Sequence, residues 1–345
     1  MKVLIVEDLP VAGDGLGNTL APDPLIDVIG TTDNERTALE LLTRSKPDIA
    51  AVATGLRRAN AFELTRRIME SHPIPVVIVS ARGQPEEVAT TFAAMEAGAV
   101  AVAIKPKERG HPGHGEEARK LVQTIRAMSE VRVVRRRAGS RSTRERAAAS
   151  APPPPRSCEI RIVAVGASTG GPLALQTILG RLPRDFRAPL LIVQHIAPGF
   201  LQGLAEWLSA STSFPVHIAV VGELLLPGHA YLAPDGCQMS IGGDGRIALR
   251  PAESNQLVCP SVSHLFVSVC NAFGPRAAGV LLTGMGTDGA EELKVMREKG
   301  ALTVAQDRES SVVYGMPGRA VALGAAAYVL NPEGIAELLR GAVQG

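Results

Sequence analysis

Short aliphatic runs alternate with amphipathic stretches along the first 130 residues. Runs at 3–6, 26–29, 49–52, 76–79 and 100–104 suit strands buried on both faces. Apolar residues at helical spacing fill 34–44, 61–71, 86–97 and 116–128. A first helix is expected near 10–20, although Gly13, Gly15 and Gly17 oppose it. The alternation predicts a doubly wound parallel sheet. The texture returns further on, with strands at 160–165, 189–193, 278–282, 302–305 and 327–330 and helices at 172–182, 200–209, 262–273 and 291–299. Between 215 and 250 the turn signals PG, PDG and GGDG predict antiparallel β-hairpins inserted in or beside that second sheet. The fold class is therefore α/β: two doubly wound parallel-sheet domains, the second Rossmann-like with a hairpin insertion.

Composition sharpens the division. Apolar residues make up 46% of the 345 and aromatics 3%, so both cores rest on Ala, Val, Leu and Ile. Between Arg132 and Arg156 eight arginines face one acid, Glu145, and the tract runs into AAASAPPPPRS. Alanine, serine and consecutive prolines build no core and favour an extended chain. The expected organisation is a domain over 1–130, a basic and proline-rich linker over 131–157, and a second domain over 158–345. A basic tract can meet nucleic acid or an anionic membrane surface. This one lacks interleaved aromatics and reads as a solvated linker, so no nucleic-acid partner is expected. No apolar stretch is long enough to span a bilayer, and MKVLIVED places carboxylates where an export signal needs its apolar core. Four cysteines without a C-x-x-C pair fit a reducing cytoplasm. A cytoplasmic protein without membrane insertion is expected.

In the first domain Glu7 and Asp8 end a strand, and two carboxylates there could hold a divalent cation such as Mg²⁺. Ser80 ends the fourth strand and Lys105 the fifth, on the same rim. Together these residues resemble the response-regulator receiver, a flavodoxin-like fold, over about residues 1–130. That resemblance implies a phosphoacceptor aspartate at the end of the third strand, where PDIAAVATG carries Ala53. An alanine accepts no phosphoryl group. Asp48 begins the same strand, roughly 16 Å away along an extended chain. The expectation is a receiver that is not phosphorylated in the family's manner.

In the second domain RIVAVGASTGGPLAL reads as strand, glycine turn and helix, with Ser168 on the turn. Glycines permit a tight turn, and a helix amino terminus offers unpaired N–H groups to a developing oxyanion. A phosphate-binding turn has a similar pattern. His195 follows the strand of LLIVQHIAPGF, and a neutral imidazole there can take a serine proton. Asp288 follows the strand of GVLLTGMGTDGA; a carboxylate there can cap a helix or hold an imidazole tautomer. His217, His229 and His264 read as structural.

The segments GASTGG, QH-x-x-PGF, LPGHAYLAP, PSV, LTGMG-x-DGA and YGMP, in this order over about residues 160–343, resemble the methylesterase domain of the CheB family. The resemblance implies a serine hydrolase with Ser168 as nucleophile, His195 as base and then acid, and Asp288 as orienter. It implies that the Met285 N–H serves the oxyanion and that Thr169 contacts the histidine. No cofactor is implied for the reaction. The substrates implied are glutamate γ-methyl esters on chemoreceptor cytoplasmic helices, releasing methanol, and receptor glutamines for deamidation. A histidine kinase or array adaptor is the further partner implied. In the family the receiver covers the catalytic face until it is phosphorylated. Cys259 and Ser263 stand where the family usually has a basic residue and an aspartate around Pro-Ser-Val. Three alternatives follow: a docking or regulatory protein with reduced catalysis, a methylesterase acting on a non-receptor protein, and a nucleic-acid-binding regulator using the arginine tract.

Overall fold

The structure is a computed structural model, and it describes residues 1–8, 15–80, 85–131, 133, 159–253 and 258–344. The chain forms two compact units, Met1–Thr143 and Arg144–Gly345. The expected linker lies outside the described residues apart from Val131 and Val133.

In the first unit the aliphatic runs become β1 (Lys2–Val6), β2 (Asp27–Thr32), β3 (Ile49–Ala53), β4 (Val76–Ser80) and β5 (Ala101–Ile104). The helices are α1 (Leu16–Leu20), α2 (Glu35–Ser45), α3 (Ala61–Ser71), α4 (Pro85–Glu96) and α5 (His114–Ser129). Two begin for the same reason: the Asn34 and Asn60 side chains each accept two backbone N–H groups of the first turn. The strands pair in parallel in the order β2-β1-β3-β4-β5. The order reverses between β1 and β3, and in open parallel sheets the crevice at the strands' carboxyl ends opens there. The expected first helix is present only as the short α1; residues 10–14 of it lie outside the described residues.

The second unit carries β6 (Ile162–Ala167), β7 (Leu190–Gln194), β8 (Val216–Ile218), β9 (Ala230–Leu232), β10 (Cys237–Ile241), β11 (Ile247–Pro251), β12 (Ala277–Leu281), β13 (Leu302–Gln306) and β14 (Tyr328–Leu330). Its helices are α6 (Gly171–Leu179), α7 (Leu201–Thr212), α8 (Val262–Phe273), α9 (Ala290–Glu298), α10 (Met316–Ala322) and α11 (Pro332–Gln344). Seven strands pair in parallel in the order β14-β13-β12-β6-β7-β9-β8. The reading of 215–250 needs correction. Only β10 and β11 form an antiparallel hairpin, whereas β8 and β9 extend the main sheet in parallel. Three-residue strands are too short to show a pairing sense in their side-chain pattern. Helices α10 and α11 were not among the expected elements.

The central strand β6 is flanked by β7 on one side and β12 on the other. The chain therefore leaves β6 in one direction and returns on its other side. The topology opens a crevice at the carboxyl end of β6, between the ends of β7 and β12.

Candidate active site

That crevice is where Ser168, His195 and Asp288 stand. Ser168 follows β6, on a turn fixed at both ends: its N–H donates to the Thr283 carbonyl at 3.0 Å, and its carbonyl accepts the Gly171 N–H at 2.8 Å. The turn closes through Gly170 at φ +80°, where a Cβ would also meet Val312 Cγ2 at 2.6 Å, so this position demands glycine. Gly284 serves a second close approach, since a Cβ there would lie 2.6 Å from that of Ser168.

His195 leaves β7 with its N–H on the Ala167 carbonyl at 2.9 Å, one residue before the serine. Its Nε2 lies 3.0 Å from Asp288 Oδ2. The approach is oblique, and Nε2 has no in-line hydrogen bond. No hydrogen bond joins Ser168 Oγ to the ring among the described residues. The structure thus brings His195 against Asp288 and Ser168 onto the neighbouring turn.

Asp288 does not cap its own helix, α9, whose N-cap is Gly289. Its carboxylate reaches the start of α8 instead. Oδ2 accepts the Val262 N–H at 2.7 Å, and Oδ1 accepts the Ser263 N–H and the Ser261 hydroxyl, both at 3.0 Å. Burial alone would push the carboxyl upward. The nearby His195 ring and the hydrogen bonds from Ser263 and Val262 outweigh burial and hold it well below the usual carboxylate range. A permanently anionic carboxylate beside an imidazole is what stabilises its protonated form.

Ser263 belongs to this support. Its hydroxyl donates to Glu292 Oε2 at 2.6 Å and accepts the Gly289 N–H at 2.9 Å, beside Asp288. Cys259 is half-buried, and burial pushes its thiol up, against a nucleophilic role. His217 pairs with Glu223 at 2.9 Å and stacks edge-on against Tyr231, a structural arrangement at the sheet edge.

The N–H groups of Thr169, directly after the serine, and of Met285 donate to no acceptor among the described residues. An oxyanion could take both. No hydrogen bond from Thr169 to His195 is present among the described residues; the Thr169 carbonyl instead accepts the Thr283 hydroxyl at 2.9 Å. Two buried polar residues escaped the sequence reading. Gln194 donates from Nε2 to the carbonyls of Ser168 (2.8 Å) and His195 (2.9 Å). Thr283 is fully buried under the same turn. Both sit at strand ends, which was the available signal.

The crevice of the first unit is differently furnished. Glu7 is 2% exposed; its Oε1 accepts the Leu16 N–H at 2.7 Å, and its Oε2 lies 3.8 Å from Lys105 Nζ. Asp8 accepts the Arg57 N–H at 3.1 Å and faces the Arg57 guanidinium at 3.6 Å. Ser80 is buried, with Thr54 Oγ1 3.4 Å from its hydroxyl, and Ala53 closes β3. Among the described residues no group of three or more His, Cys, Asp or Glu could hold a metal ion. Asp8 meets the Arg57 guanidinium and Ala53 adds no side-chain oxygen, whereas Glu7 Oε2 is buried, accepts no hydrogen bond among the described residues and has Lys105 Nζ 3.8 Å away.

Both units match known families. The profile of the CheB methylesterase family matches residues 163–339, and that of the response regulator receiver domain matches residues 3–111. A protein-glutamate methylesterase/protein-glutamine glutaminase of Syntrophus aciditrophicus is 49% identical over 98% of this chain and 97% of its own length. One from Geobacter metallireducens is 49% identical over 98% of both. The crystal structure of the Thermotoga maritima CheB methylesterase catalytic domain is 34% identical, covering 53% of this chain and 98% of that one with a TM-score of 0.51. Among the described residues no helix is long and apolar enough to cross a membrane.

Proposed function

This chain belongs to the CheB methylesterase family, carboxylic ester hydrolases with a receiver domain ahead of the catalytic one, and we propose that Ser168, His195 and Asp288 carry its reaction. The substrates are glutamate γ-methyl esters, and by the same chemistry glutamine amides, on the cytoplasmic helices of chemoreceptors. The observation that carries this reading is the Asp288 carboxylate 3.0 Å from the His195 ring, at the crevice where the Ser168 turn opens.

Ser168 Oγ attacks the ester carbonyl while His195 takes its proton. The carbonyl oxygen becomes an oxyanion, within a pocket to which the Thr169 and Met285 amides can donate. Asp288 stabilises the imidazolium electrostatically and keeps its own proton off. His195 then protonates the leaving methoxide, methanol departs, and a γ-glutamyl ester remains on Ser168. Water, deprotonated by His195, attacks that ester and frees the glutamate carboxylate. With an amide substrate the first leaving group is ammonia.

The measurement is methanol release from methylated receptor membranes by the wild-type and Ser168→Ala proteins side by side. Equal rates would end this assignment.

The receiver reading rests on Ala53. With a methyl group at the acceptor position and Lys105 and Arg57 on the carboxylates, the domain takes no phosphoryl group and activity does not wait for one. Incubation of the full chain with acetyl phosphate and magnesium should leave no acyl phosphate on residues 1–130; stable labelling there would reverse this reading.

A further inference from the structure

Segments following β6, β12 and β13 are fastened together by one side chain that never reaches the surface. Thr283 is 0% exposed and follows β12 by two residues. Its hydroxyl lies 2.9 Å from the Thr169 carbonyl and 3.2 Å from the Val313 carbonyl, one proton shared between two acceptors. The same oxygen accepts the Val313 N–H at 2.9 Å. Its main chain completes the junction: the carbonyl accepts the Ser168 N–H at 3.0 Å, and the N–H donates to Gln306 Oε1 at 2.8 Å. Gln306 is 1% exposed and passes the link on, donating from Nε2 to the Ser310 carbonyl at 3.0 Å. Next to it, the Gly284 N–H meets the Val313 carbonyl at 3.0 Å.

We infer that Thr283 is a positioning residue for the hydrolysis, whose hydroxyl locks the Ser168–Gly170 turn to the 310–316 loop and so sets where the nucleophile stands. The inference rests on Ser168 being that nucleophile. Burial excludes contact between Thr283 and substrate, so its whole influence passes through the turn. The turn depends on such a lock because Gly170 lies in the left-handed region, where glycine holds no conformation by itself. The hydroxyl is also hard to replace. Valine has nearly the same shape but leaves the Thr169 carbonyl and the Val313 N–H without partners inside the fold. A misplacement on the order of 1 Å at a nucleophile costs about a hundredfold in rate.

The test compares Thr283→Val, Thr283→Ser and Ser168→Ala in the full chain. Two readouts are used: steady-state kinetics on a glutamate γ-methyl ester peptide, and the rate at which a fluorophosphonate labels Ser168. For Thr283→Val, kcat and the labelling rate should fall together by about ten- to a hundredfold with KM unchanged. Thr283→Ser keeps the hydroxyl and should stay within about threefold of wild type. A folded Thr283→Val protein with wild-type kcat and labelling overturns the inference, as does a Thr283→Ser protein as slow as the valine variant. Should Thr283→Val fail to fold, Thr283→Ala is read against the same thresholds. Loss of methanol release in Ser168→Ala keeps the nucleophile assignment independent: if that variant stays active, the assignment is at fault and not the role of Thr283.

Discussion

Both units place their chemistry at the same architectural spot, the carboxyl-end crevice where the strand order of a parallel sheet reverses. What differs is how far the chain has satisfied the groups it puts there. In the first unit the carboxylates of Glu7 and Asp8 face Lys105 and Arg57, and β3 ends on Ala53. In the second, Asp288 is bound by three donors, while the amides of Thr169 and Met285 donate to nothing among the described residues. In the first crevice each carboxylate has a cation of the chain beside it, although Glu7 Oε2 accepts no hydrogen bond among the described residues. A crevice that holds a fixed anion, an imidazole and unanswered donors is prepared for charge that appears during a reaction.

Substitutions at the two crevices should therefore differ in kind. The largest effect is expected from Ser168→Ala, which should lower methanol release by roughly 10⁶-fold without shifting the melting transition. Asp288→Asn should cost roughly a thousandfold or more in kcat, because a neutral amide no longer stabilises the imidazolium.

Asp288→Asn also changes the acid response. The folded-state pKa of Asp288 is depressed, so its ionisation stabilises the protein above the unfolded value of about 3.9. That contribution is lost as pH falls below that value toward the folded one. Unfolding curves of wild type and Asp288→Asn should therefore converge as pH drops below about 4, and parallel curves would contradict the hydrogen-bonded anion.

In the first crevice the effects are on stability alone. Lys105→Met strips the nearest cation from buried Glu7 and should cost about 1–2 kcal/mol in chemical unfolding, less than a fully buried pair would, because Lys105 is partly exposed. Arg57→Ala, at a side chain 91% exposed, should cost under about 0.5 kcal/mol and leave methanol release unchanged. A tenfold effect of either variant on hydrolysis would break the contrast drawn between the crevices.

Much of the fold was legible because buried parallel strands are written as unbroken aliphatic runs, IVAVGA and LLIVQ among them. The positions of Ser168, His195 and Asp288 beyond strands were legible for a related reason: each is followed by glycine or proline within three residues. The sense of β8 and β9 was not, since three residues reveal no alternation and the turn signals between them mislead. Neither was the grip of Asp288 on Val262 and Ser263, which joins segments 25 and 26 residues apart. Thr283 and Gln306 are buried by segments distant in the chain, which a local pattern does not encode. Nothing in LRRANA points Arg57 toward Asp8.

The Asp288 carboxylate has two duties, holding the first turn of α8 and facing the His195 ring. One fraying event would undo both. When that turn melts on heating, the imidazole loses its anion at the same moment. Thermal inactivation should then precede global unfolding and follow amide exchange at Val262 and Ser263, so that the enzyme's working ceiling is set by a single helical turn.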